Sequence, residues 1–254
     1  MAVLTEKQIK YGFDYYHKDD ARPKSVVEVS EYDGEDKLMI NCTQLDEDYS
    51  AKDKKRILQE WCSFLVEHPD NFTELMFCTR MPQELFDAVC AQQRLKKLHI
   101  KWGVYPDISK LENLQELEYL HIGSGRSVSS LEPISRLVNL VALSIENFQQ
   151  IDDYAPLANL KHLESLALEG DFAAPKILKV QSLEFLRHMK QLRFFSLLTA
   201  KVIDKDYSPI LELNNLEHLT LKSCKEVKQL YPQFVKLPKL KYGTVLERPE
   251  LYEK

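Results

Sequence analysis

His99 and His121 stand in the same local context, L-x-x-L-H-I, 22 residues apart. Two imidazoles brought side by side could hold a metal ion or titrate as a pair near neutral pH. The other chemically suggestive groups are weaker. Gly123-Ser124-Gly125-Arg126-Ser127 is glycine-rich, but it lacks the lysine of a phosphate loop and a third glycine at dinucleotide spacing, so it reads as a turn. Asp152-Asp153 and the acidic pairs of the N-terminal region have no histidine at ligand spacing, which makes a solvated face the default. Five cysteines (Cys42, Cys62, Cys78, Cys90, Cys224) include no CxxC pair, which argues against a zinc site or a disulfide framework and for reduced, mostly buried thiols. Asn41-Cys42-Thr43 and Asn71-Phe72-Thr73 fit the glycosylation triplet but carry little weight without a leader.

The elements that position these residues are legible in the apolar rhythm. In residues 131–147, Leu131, Ile134, Leu137, Leu140 and Leu143 recur every third residue, and Ile145 follows after two. The L-x-x-L-x-I ending of that stretch recurs along the chain. It is found at Phe72-Leu75-Phe77, Leu95-Leu98-Ile100, Leu117-Leu120-Ile122, Leu140-Leu143-Ile145 and Leu163-Leu166-Leu168. Leu192-Phe195-Leu197, Leu216-Leu219-Leu221 and Leu240-Gly243-Val245 complete the set, and successive last residues are 23, 22, 23, 23, 29, 24 and 24 positions apart. Alternation in the L-x-L portion describes a short strand with leucines inward and the intervening residues outward. The period of three suits 3₁₀ turns, where residues i and i+3 eclipse on one side. A unit of this kind cannot bury its flanks alone, so the chain must be a stacked repeat protein.

These segments resemble the leucine-rich repeat family, whose unit is L-x-x-L-x-L-x-x-N/C-x-L. LTLKSCKEV is the best match, with Leu219, Leu221, Cys224 and Val227 in the expected slots, and ISKLENLQELEYLHI and YAPLANLKHLESLALEG look like internalin-type and phosphatase-regulator-type repeats. The Asn/Cys slot holds Gly103, Gly125, Phe148, Asp171 and Ala200 elsewhere, so an irregular solenoid is expected. The resemblance implies an α/β solenoid: a horseshoe with a parallel β-sheet on its concave face, short helical or 3₁₀ turns on its convex face, and an α/β N-terminal cap. It also implies a non-enzymatic module that binds a protein partner.

With the repeat in hand, the two histidines belong to one outward lane and should stand about 4.8 Å apart. The equivalent positions hold Met76, Ser144, Ala167, Ser196, Thr220 and Thr244, so no third ligand is evident. A metal-dependent or catalytic protein using a His99/His121 patch is therefore the alternative reading, and no metal or cofactor is expected. Around this small-residue trough the other outward lanes carry aromatic and charged groups of the kind that anchor interfaces. The partner-binding residues expected are Lys97, His99, Lys101, Trp102, Tyr119, His121, Glu146, Glu169, Phe194, Leu198, His218, Lys222 and Tyr242.

Residues 1–70 do not follow the repeat and read as a capping region. SVVEVSEYDGEDKLMINC suggests a β-hairpin around a Tyr-Asp-Gly turn. Residues 51–67 place Ile57, Leu58, Trp61, Phe64 and Leu65 at helical spacing behind a Ser50 N-cap, and Pro82 opens a second helix with Leu85, Phe86 and Val89 inward. Repeats are expected over 71–247 and a polar tail over 248–254. The 29-residue interval contains DFAAPKILKVQSL (171–183), read as a longer convex turn packed by Ile177, Leu178 and Val180, with a partner-contacting loop as the alternative.

The chain has 254 residues and a net charge of −5, and its first 70 residues hold 10 Lys/Arg against 16 Asp/Glu. That balance has no basic footprint for nucleic acid, no apolar run approaches the ~20 residues that cross a bilayer, and a small-molecule ligand is not expected. The start, MAVLTEKQIKYGFDYYHKDD, turns polar after four residues without a signal-peptide core, so a cytoplasmic protein is expected. A bacterial inhibitor or immunity-type protein and a regulatory subunit are the roles that fit.

Overall fold

Strands carried by near-regular repeats can pair in register; seven do here, and two strands from before the repeat extend the sheet to nine. The computed structural model describes residues 4–13, 22–171 and 176–253. Its main sheet contains β1 (Lys24–Val26), β2 (Lys37–Ile40), β3 (Glu74–Phe77), β4 (Lys97–Ile100) and β5 (Tyr119–Ile122). It continues with β6 (Ala142–Glu146), β7 (Ser165–Glu169), β8 (Phe194–Leu198) and β9 (His218–Leu221), all parallel and in sequence order. The register puts like on like: Leu75, Leu98, Leu120, Leu143, Leu166, Phe195 and Leu219 are successive partners. All of these side chains are buried. The leucine-rich-repeat solenoid implied by the sequence is the architecture observed.

The period-three segments form the return turns. Residues Ser109–Asn113, Ala155–Asn159, Glu184–His188 and Ser208–Glu212 are 3₁₀, and Glu132–Ser135 is a single α-turn. Backbone bonds from Leu111 to Ile108, Leu114 to Leu111 and Leu117 to Leu114 repeat the three-residue step, so each buried leucine sits one 3₁₀ turn from the last.

Helix α1 (Glu6–Tyr11) precedes the sheet, and α2 (Ala51–Glu67) and α3 (Gln83–Val89) pack together beside its first strands. Ser50 caps α2 through the Asp53 amide, and Ile57, Trp61 and Leu65 are buried, as the helical spacing requires. Trp61 Nε1 donates to the Val27 carbonyl at 2.8 Å, and Gln92 Nε2, inside the core, donates to the Leu65 carbonyl at 2.5 Å. One apolar core runs from Val26 to Tyr252.

Three expectations are corrected. The two strands around Tyr32-Asp33-Gly34 are not a hairpin: Lys24 faces Leu38 and Val26 faces Ile40 in parallel register. The 3₁₀ turn Val29–Glu31 carries the chain back so that β2 starts beside β1. The last L-x-x-G-x-V match makes only a single bridge, His218 to Tyr242, before helix Thr244–Glu247 takes over. Gly243, at φ +98°, turns the chain there, where a Cβ would lie 2.2 Å from the Leu219 carbonyl oxygen. Within 171–183, Leu178 and Val180 are buried but Ile177 is exposed; Leu178–Val180 pairs in parallel with Ala200–Val202, and 172–175 lie outside the described residues.

The C-terminal residues close the last repeat. Tyr252 is buried, its hydroxyl donates to the Leu221 carbonyl at 2.6 Å, and its ring stacks on Tyr231 at 5.3 Å.

Candidate binding face

Every second residue of each strand points into the concave face, so the ladder lines up their side chains in lanes. The middle lane reads Met39, Met76, His99, His121, Ser144, Ala167, Ser196 and Thr220 from β2 to β9. His99 and His121 are adjacent as expected, with ring centroids 4.3 Å apart and planes at 16°. Stacked rings present their faces to one another, which does not converge their nitrogens on a shared ion. His121 Nδ1 pairs instead with Ser144 Oγ at 3.0 Å. Among the described residues no group of three His, Cys, Asp or Glu side chains converges as a metal site would require.

The middle of this face is covered by Leu4–Phe13 of the same chain. Thr5 caps α1 in a reciprocal box: its hydroxyl accepts from the Gln8 amide at 3.3 Å, and the Gln8 side chain accepts from the Thr5 amide at 2.9 Å. Leu4 and Ile9 occupy the positions of a hydrophobic staple, before the cap and one turn on. Leu4 (3% exposed), Ile9 (0%) and Phe13 (3%) form an apolar cluster with Met76 and Ala142 of the sheet and Val141 just before β6, flanked by Tyr119 and Tyr242. Phe13 lies 6.0 Å from Tyr119 and 6.5 Å from His121, ring to ring. Polar groups fix the segment's position. The Tyr242 hydroxyl donates to Glu6 Oε1 at 2.8 Å, and Arg193 Nη1, braced by Glu164 and Glu217, reaches the Leu4 carbonyl at 3.5 Å.

This arrangement sorts the expected contact residues. His121, Phe194 and His218 are buried. Lys97, His99, Trp102, Tyr119, Glu146, Glu169, Leu198 and Tyr242 are half-buried, and Lys101 and Lys222 are exposed. Lys97 pairs with Glu74 at 3.0 Å. Phe194 stacks on His218 at 4.2 Å, and His218 Nε2 lies 2.7 Å from Thr220 Oγ1. Burial lowers the His218 imidazole to about 4, although Glu247 and the Lys10 and Ile9 backbone pull the other way. Burial likewise raises the Tyr119 hydroxyl, against a hydrogen bond from Gln8.

Between the end of α1 and the small residues of the trough remains a cavity of about 350 Å³, floored by Ser144, Ala167, Ser196 and Thr220 and walled by Phe13 and Phe194. Gly123-Ser124-Gly125 is a turn after β5, with Ser124 at φ 55° and the Gly123 carbonyl accepting from the Tyr105 hydroxyl. Among the described residues no helix is long and apolar enough to cross a membrane.

The sequence reading missed the N-terminal segment. The signal was present in L-T-E-K-Q-I, a capping box enclosed by a staple, followed by Phe13 just past Gly12.

No protein-family model matches this chain, and no curated protein does. Solved structures do. An internalin (inlF) from Listeria monocytogenes superposes with a TM-score of 0.53 at 18% identity, covering 81% of this chain and 51% of that one. Internalin C2 from the same organism gives 0.48 at 19%, covering 70% and 71%, and a leucine-rich-repeat protein of Leptospira interrogans gives 0.45 at 14%, covering 85% and 74%. The chain spans about half the length of the first internalin. At this identity the likeness is one of fold.

Proposed function

We propose that this chain is a non-enzymatic interaction module that takes a protein partner on its concave face. The observation that carries this reading is the seated segment Leu4–Phe13. Seated there through an apolar cluster and side-chain hydrogen bonds from Tyr242 and Arg193, this short helix supports the reading. An inhibitor, an immunity-type protein or a regulatory subunit would use the face in the same way. Interface energetics concentrate on a few aromatic and arginine anchors in a well-packed centre, and Tyr119, Phe194, Tyr242 and Arg193 supply that set here.

Site-specific photo-crosslinking tests the reading. A photoreactive residue replaces Lys101 or Lys222, which border the concave face, or Val138, which is 52% exposed. Protein adducts at Lys101 and Lys222 but not at Val138 are expected in cells that make the chain. Adducts at Val138 alone would contradict the concave-face reading.

The reading of His99 and His121 as a metal or catalytic patch gains no geometric support, because the rings stack and His121 is engaged with Ser144.

A further inference from the structure

We propose that Leu4–Phe13 is a displaceable stand-in for the partner, which presents a capped, amphipathic helical turn of the same chemistry and competes for the same place. This rests on the concave-face reading and adds the kind of partner and the means of its exclusion.

The chemistry of the seat is specific. It receives an aliphatic staple, Leu4 and Ile9, and an aromatic ring, Phe13, presented just past the Gly12 break that ends the helix. It offers a phenol, Tyr242, to an acceptor in the first helical turn, and a guanidinium, Arg193, to a carbonyl just before the cap. A partner helical turn with an aliphatic residue on each side of a Thr/Ser-x-x-Gln/Glu cap, an acid within the first turn, and a glycine that ends it just before an aromatic would satisfy every one of these groups.

Two features mark the segment as removable. The sheet does not need it for registry: every ladder strand from β1 to β9 pairs with its neighbours, and the segment adds no strand. Its apolar cluster is separate from the core that joins the helices and the ladder leucines. The seat is also incompletely filled, since the cavity under Gly12 and Phe13 is left between segment and floor. The segment's departure would uncover Tyr119, Phe194 and His218 together.

Gly12 gives a way to release the segment without touching its anchors. At φ 76° and ψ 163° it occupies backbone space that is essentially glycine's alone, and a Cβ there would lie 3.0 Å from Phe194 Cζ. Gly12→Val should therefore unseat the segment while leaving Leu4, Ile9 and Phe13 intact. Ile9→Asp unseats it by a second route, through a charge placed in the apolar cluster.

The test titrates a fluorescein-labelled synthetic peptide of residues 1–16 into the full-length wild type and into each full-length variant, with folding checked by circular dichroism. Occupied sites lower apparent affinity by the fraction that is free. The peptide is expected to bind Gly12→Val or Ile9→Asp chains about 10- to 100-fold more tightly than wild type, and a peptide carrying Ile9→Asp is expected to lose that binding. Equal binding to wild type and a folded variant, or binding indifferent to the Ile9→Asp change in the peptide, would overturn the proposal. So would folded variants that bind no peptide, or variants that both unfold, since the segment would then be structural. A wild-type dimer that exchanges segments between copies would assign the seat to a second copy and likewise overturn it. The crosslinking result at Lys101 and Lys222 is read independently, so failure here leaves concave-face binding standing on its own test.

Discussion

A buried histidine is the most informative single residue of the concave face. His218 is held between Phe194 and Thr220 with its imidazole lowered by burial from 6.5 to about 4. Between those values the unfolded chain binds a proton that the folded chain refuses. Stability contributed by His218 is thus fully present above about pH 6.5 and is lost as the pH falls through about 4. The loss should approach about 3 kcal/mol. Urea unfolding at about pH 7 and about pH 4.5 should show this decline, and His218→Gln should shrink it. An unchanged slope would place the charge sensitivity elsewhere. The stacked His99 and His121 carry a different expectation: zinc added to the purified chain should not be retained at one ion per chain. Stoichiometric retention that vanishes in the His99→Ala, His121→Ala double variant would reinstate the metal reading. The adjacency of these two rings was legible in the sequence, because the repeat assigns them one lane; their stacking was not, because ring orientation depends on Ser144 and Phe13.

The secondary-structure elements were legible where a period exposed them. Leucines recurring every third residue and then every second identified the 3₁₀ returns and the ladder, and Ser50 marked the start of α2. Where a signal was local and aperiodic the reading failed. Tyr32-Asp33-Gly34 suggests a reversal, but the chain uses the Val29–Glu31 turn to return and pair in parallel. The last repeat lost its strand because Gly243 turns the chain into a helix after a single bridge. Closure of that end depends on Tyr252. Removing its hydroxyl in Tyr252→Phe leaves the Leu221 carbonyl without its donor and should cost about 1–3 kcal/mol in chemical denaturation. A central ladder leucine is held on all sides, so Leu166→Ala should cost about 2–5 kcal/mol. A loss below that of Tyr252→Phe would contradict the continuous core.

At the scale of the molecule, the sequence presented a horseshoe with an open concave face, and the structure presents one whose centre is already occupied. The occupant escaped notice because its inward residues, Leu4, Ile9, Gly12 and Phe13, span barely two turns and have no repeat to amplify them. Its docking partners lie as far along the chain as Arg193 and Tyr242, a separation that no local pattern encodes. Leu4–Phe13, seated on the concave face, is proposed to leave it without unfolding the solenoid, and native-state hydrogen exchange measures both the seating and the release. The amides of Ile9 and Gly12, bonded to the Thr5 and Gln8 carbonyls, should exchange more slowly than in the free peptide. They should also exchange at least about 10-fold faster than the β6 and β7 amides of Leu143 and Leu166, through opening that spares the ladder. Exchange at the free-peptide rate would mean the face is empty, and exchange matched to the ladder would make the segment an inseparable part of the fold.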